Sequence, residues 1–264
     1  MKNIISTTTI MAIIVLASAI AWSQPPAERQ RYQDISRQVY FRSATHDHRT
    51  FTHPAAAQAE RMFSELHNLV STSVVRVISK RATSASAIKK TIEELQGDES
   101  LATFLPDTQI PFADLGDING TPSLAVAFAV MGGGDGIPDV RPYIQFYSSP
   151  AGEWQPRGEV GSDFNGTAFH VARIKSPISS QVWYLAWGTV IGDTGARLKL
   201  RLYTFDGFDV KTTWVRDNLR GGSLTLSASG DQITLEYDEP VLGGTALPRH
   251  VIESLRPTIN GLEQ

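Results

Sequence analysis

The chain has 264 residues, 41% of them hydrophobic and 19% charged, with a formal net charge of -3. That balance suits one large or two small domains around a core, and it leaves no global positive field to attract nucleic acid or an anionic membrane. There is no cysteine, which excludes disulfides, thiolate metal sites, thiol nucleophiles and a lipid-modified N-terminal cysteine.

At the N-terminus, Lys2 precedes an apolar run from Ile10 to Ala17, and the stretch SAIAWSQ then supplies small residues. This order reads as a secretory signal over residues 1–23, cut after Ala21 or Ser23. Ser6, Thr7, Thr8 and Thr9 interrupt the segment that an uncleaved anchor would need to cross a bilayer, and no later segment resembles a span. The expectation is an exported protein, periplasmic or extracellular, with no membrane span once the signal is removed.

Residues 24–53 are polar, open with Pro25-Pro26, and carry five arginines against three acidic residues. They read as an arm or linker that holds at most one short helix, because Ile35 and Val39 fall four apart. Residues 54–104 read as helical. Pro54 suits a first helical position, and Met62, Phe63, Leu66, Leu69, Val70, Val74, Val77 and Ile78 form one stripe at spacings of three and four. The β-branched content from Ser71 to Ile78 lowers helix propensity, so the last two turns are a helix, a strand or a break. A second helix, capped by Ser84 or Ser86, passes through Ile88, Ile92 and Leu95 to a stop at Gly97.

Over residues 105–264 the period becomes two. Strands are predicted at 123–131, 142–148, 154–160, 167–175, 182–191, 197–205, 208–216, 223–229 and 232–238. The clearest alternation sets Leu198, Leu200 and Leu202 against Arg197, Lys199 and Arg201. Asp206-Gly207 and Ser229-Gly230-Asp231 suit hairpin turns, so successive strands should be antiparallel neighbours. LAVAFAVMGGGDG, PYIQFYSSPAG and EWQPRGEV are followed in the same order by YLAWGTVIGDTG, LKLRLYTFDG and FDVKTTWV, a faint repeat. The fold class expected is therefore α+β, mainly β: an N-terminal helical hairpin packed on antiparallel meander sheets, either sandwich-like or as two propeller-blade-like units.

Two acidic turn segments carry a family likeness. Ala113 to Phe128 (ADLGDINGTPSLAVAF) and Gly132 to Val140 (GGGDGIPDV) resemble pieces of the calcium-loop strands of FG-GAP and VCBS-type secreted β-propeller repeats. The resemblance implies calcium held by Asp117 and Asn119 in the first piece and by Asp135 and Asp139 in the second, because a hard cation wants several oxygens from one tight loop. Thr121 to Ser123, and Met131 with Gly133, stand where further ligands of the pattern belong. The competing reading is that Asn-Gly and Asp-Gly simply form turns.

His46 and His48, with Asp47 and His53 nearby, form the one histidine cluster, and their spacing would present two imidazoles on one side of an extended segment as zinc ligands. Here the competing reading is a solvated loop. Ser86 and Lys89 match S-x-x-K, but S-D-N and K-T-G are absent. His67, His170 and His250 stand alone and read as structural. Trp154, Trp183, Tyr184, Trp187, Tyr203 and Trp214, beside carboxylates such as Asp163, Asp193 and Asp209, would suit a glycan ligand or simply fill a core. The function expected is an exported non-catalytic binding or interaction protein with a protein or glycan partner. The alternatives are a secreted hydrolase acting on glycans and a calcium-stabilised structural module.

Overall fold

The computed structural model describes residues 27–44, 53–80, 83–97, 108–132, 139–164, 168–192, 195–240 and 248–264. Residues 1–23, read above as a signal, and His46, His48 and Asp135 lie outside these residues. Among the described residues, three helices precede the strands: α1 (Ala27–Ala44), α2 (His53–Ile78) and α3 (Ala85–Gln96). No helix among the described residues is long and apolar enough to cross a membrane.

The polar arm expected over 24–53 contains an 18-residue helix rather than a short one. Tyr32, Ile35, Ser36 and Val39 make one buried stripe. Two ion pairs tie this helix to α2: Arg31 with Glu65, and Glu28, through both oxygens, with Arg76 of α2 at 2.7 and 2.6 Å. Helix α2 runs unbroken through Ser71–Ile78 because Val70, Val74, Val77 and Ile78 are all buried, and burial outweighs the few tenths of a kcal/mol that β-branching costs. Ser84 caps α3 by accepting from the amide of Ala87 at 3.2 Å, and Gly97 ends it at φ 57°.

The strands form two antiparallel sheets. The first has the order β1 (Phe112–Ile118), β2 (Thr121–Gly132), β3 (Asp139–Ser148), β4 (Gln155–Val160). The second runs β5 (Ala168–Ile174), β6 (Val182–Gly192), β7 (Gly195–Phe205), β8 (Val210–Leu226), β9 (Ile233–Glu239), β10 (Arg249–Thr258), β11 (Gly261–Glu263). Strands β1, β10 and the three-residue β11 fall outside the predicted set, the first two for one reason. Each places a carboxylate on its inward face, Asp114 or Glu253, and so breaks the apolar alternation.

The internal repeat is real in the ladders. Gln145 faces Glu159 as Arg201 faces Val215, and Phe146 faces Gly158 as Leu202 faces Trp214; Phe146 to Leu202 is a shift of 56 residues. Both ladders then skip one residue, pairing Tyr147 with Pro156 and Tyr203 with Thr212. The meanders β1–β4 and β5–β8 stack face to face and point the same way. Ala125, Ala127, Ala129, Ile144 and Phe146 of the first pack on Phe169, Val171, Tyr184, Tyr203 and Phe205 of the second. The row of alanines lets the sheets approach closely.

A stack in one direction leaves two outer faces, and each has its own cover. Leu124, Val126, Phe128, Val130 and Tyr147 lie under the helices. Trp183, Leu185, Leu198, Leu200 and Leu202 are covered by the second sheet itself, which curls back through β8 to β11. The strands predicted at 208–216 and 223–229 are the two halves of β8. Its corner carries Asn218 at φ 62° and Gly221 at φ 56°, conformations that Asn and Gly adopt most readily. Past the corner, the chain reaches the end of β5, where the amide of Lys175 donates to the Gly230 carbonyl at 2.9 Å.

Candidate functional site

The densest polar convergence among the described residues lies on the seam between α2 and the β3–β4 edge of the first sheet. Glu60, His67 and Ser71 share one face of α2 by their spacings of seven and four. Arg141, Tyr143, Gln145 and Tyr147 alternate onto the helix-facing side of β3, and Glu159 stands opposite Gln145 in the ladder.

Gln145, only 7% exposed, organises the seam. Its amide nitrogen donates to Ser71 Oγ at 2.6 Å and to Glu159 Oε2 at 2.7 Å, and its oxygen accepts from the Tyr147 hydroxyl at 2.7 Å. His67 Nε2 lies 2.6 Å from Glu159 Oε2, and Ser71 Oγ donates to the His67 carbonyl at 2.9 Å. Burial raises the Glu159 carboxyl, but hydrogen bonds from His67 and Gln145, with the charge of His67, outweigh it and hold the group below the ordinary carboxylate value. Burial, and then the Glu159 charge, push the Tyr147 phenol well up, so it stays a neutral donor.

A serine, a histidine and a glutamate in one cluster invite comparison with an acyl-transfer triad. Such a relay uses both ring nitrogens, one toward the carboxylate and one toward the serine. Here Glu159 and Ser71 both meet Nε2, at 2.6 and 3.5 Å. A nitrogen that donates to Glu159 has no lone pair left to take the serine proton, so this geometry ties elements together and does not activate Ser71.

Beside this network a groove of about 290 Å³ is lined by Glu60, Arg141, Pro142, Tyr143 and Ser162. Arg141 binds both oxygens of Glu60 at 2.6 and 2.7 Å, and its guanidinium lies 3.7 Å from the Phe63 ring centroid. Arg141 holds the Glu60 carboxyl below its ordinary value chiefly through these hydrogen bonds. Tyr143, Phe128 and His67 form a triangle of rings, with Tyr143 5.5 Å from Phe128 and 4.5 Å from His67 and those two 5.8 Å apart.

The residues singled out by sequence sit elsewhere. Asp117 lies near the end of β1, opposite Pro122, and Asn119 opens the two-residue turn to β2. Asn119 has φ 53° and Gly120 φ 81°, and Asp117 Oδ1 accepts from the Gly120 amide at 2.6 Å. Asp139 opens β3 opposite Gly132, at the other end of β2, roughly 30 Å away along an extended strand. Among the described residues, no three His, Asp or Glu side chains gather as a metal-binding group. Ser86 Oγ contacts Ser84 Oγ at 3.0 Å in the first turn of α3. Trp183, Tyr184 and Tyr203 are core residues, and Asp163 pairs with Arg201. Gln145, Glu159, Glu60 and Arg141 escape sequence reading. The one available signal is a strand whose alternate positions, Arg141, Tyr143 and Gln145, are polar or amphipathic where an apolar face is expected.

No protein family, curated protein or solved structure matches this chain. The function must therefore be argued from the seam itself.

Proposed function

We propose that this is an exported, non-catalytic binding protein and that the seam between α2 and β3–β4 is its ligand surface. The observation that carries the reading is that both carboxylates of the seam are paired and held below the ordinary carboxylate value, Glu159 by His67 and Gln145 and Glu60 by Arg141. A general base must itself take up a proton, which a carboxylate held in its ionised form by such partners does poorly. A binding surface needs side chains locked in place before the ligand arrives, and these are.

The rival is a secreted hydrolase. Purified protein incubated with chromogenic glycosides, esters, phosphate esters and peptides is expected to release no product above buffer. Turnover that disappears in Glu159→Gln would overturn the binding reading and make the seam an active site.

A further inference from the structure

We infer that the groove of Glu60, Arg141, Pro142, Tyr143 and Ser162 takes a neutral, hydroxyl-rich ligand, one or two sugar rings of a glycan. The inference rests on the binding reading and names its ligand class.

Charge comes first. The two carboxylates at the seam are each matched by a cationic or donor partner, Glu60 by Arg141 and Glu159 by His67, so the groove offers no net field to an ion. A charged ligand gains little from a pair whose charges already cancel, and one that displaced either member would leave the other uncompensated. A sugar hydroxyl makes no such demand, because it both donates and accepts. An ionised carboxylate has about four acceptor positions, and Arg141 takes one on each Glu60 oxygen. The Glu60 side chain is 62% exposed, so its remaining lone pairs are reachable, and the exposed Ser162 adds a hydroxyl to the lining.

Shape is the second line. The groove is near the lower end of the roughly 300–1,000 Å³ range of small-ligand sites, enough for a short saccharide and too small for a folded partner. Its one aromatic wall, Tyr143, is half-buried and held by Phe128 and His67. A ring fixed in advance presents its apolar area to the C–H face of a sugar with little further loss of side-chain entropy. The covered bond between Gln145 and Tyr147 then braces the strand beneath.

The test is ligand-observed saturation-transfer NMR on the purified protein, with glucose, galactose, mannose, N-acetylglucosamine, maltose and cellobiose each at about 10 mM, a concentration that detects millimolar affinity. At least one sugar is expected to receive transfer. Glu60→Ala and Tyr143→Leu are expected to weaken that binding about tenfold or more, a loss of about 1.4 kcal/mol each. Tyr143→Phe keeps the ring and retains binding, and Lys90→Ala on the exposed face of α3 leaves it unchanged. Circular dichroism checks that each variant is folded; if Tyr143→Leu is not, Glu60→Ala decides alone. No transfer to any sugar, or equal transfer to wild type and folded Glu60→Ala, overturns the inference. A charged peptide that binds wild type but not Glu60→Ala would sink the ligand class and leave the binding reading standing. Product formation would sink both.

Discussion

Gln145 and Arg201 occupy the same rung of the two stacked meanders, one opposite Glu159 and the other opposite Val215. Each is a buried polar side chain: Gln145 joins its sheet to the helical layer, and Arg201 joins the turn between β4 and β5 to its own neighbouring strand β8. Gln145 reaches Ser71 of α2, and Arg201 reaches Asp163 at 3.2 Å and Asp217 at 2.7 Å. The helical layer thus occupies, for the first meander, the place that the first meander occupies for the second.

Replacing Gln145 by Leu removes the common partner of Ser71, Glu159 and Tyr147. Stranded buried groups cost about 1–3 kcal/mol apiece, with water able to reach some of them. Urea unfolding should therefore show a loss of about 2 kcal/mol with an unchanged m-value. A loss below about 0.5 kcal/mol would mean that the network contributes nothing net to stability.

The corner of β8 has no room for a side chain. A Cβ on Gly222 would lie 2.7 Å from Leu198 Cβ and 3.0 Å from the Leu219 carbonyl oxygen. Gly222→Ala is expected to destabilise by about 1–3 kcal/mol through overpacking, seen as a fall of several degrees in Tm. Wild-type stability in this variant would show that β8 bends somewhere else.

Cover matters more than hydrophobicity. Phe128 is fully buried beneath the helices, whereas Phe208 is 57% exposed at the β7–β8 turn. Phe128→Ala should cost about 3–5 kcal/mol. Phe208→Ala should cost less than about 1 kcal/mol, the scale of an exposed cation–π contact such as the one with Arg157. Equal costs would contradict the helical cover over the first meander.

Glu159, Glu60 and Glu28 all have native carboxyl values below the ordinary 4.5. For a depressed group the unfolded chain binds the proton first. The stabilisation is therefore complete above about 4.5 and is lost as pH falls through the lower native values. The Tm of wild type should decline below that point, and Glu159→Gln should flatten the decline. An acid limb of the same steepness in both proteins would remove Glu159 from the account.

Chelation followed by added calcium or zinc tests the FG-GAP and VCBS likeness and the His46/His48 spacing together. The Asp117 carboxylate already closes its own turn on the Gly120 amide, and no change in Tm is expected. A rise of several degrees with either ion would mean that the native state binds it.

Much of the local structure was legible. Leu198, Leu200 and Leu202 are at most 2% exposed, as their alternation requires. Ser84 and Gly97 bracket α3, and the repeated segments became two four-stranded meanders in matching register. These features depend on neighbours one to four residues away, where backbone geometry fixes which side chains share a face.

The seam was not legible. His67 and Glu159 are 92 residues apart and Arg141 and Glu60 are 81 apart, and no local period links them. Sequence reading also gave residues 24–53 as an arm or linker with at most one short helix, because the burial of α1 depends on partners in α2, in α3 and on β2. An apolar face accepts any apolar cover, so periodicity declares that Val126 and Leu200 are buried without naming what buries them. Only the tertiary structure decided that helices cover one end of the stack and a bent strand the other, and that choice created the groove.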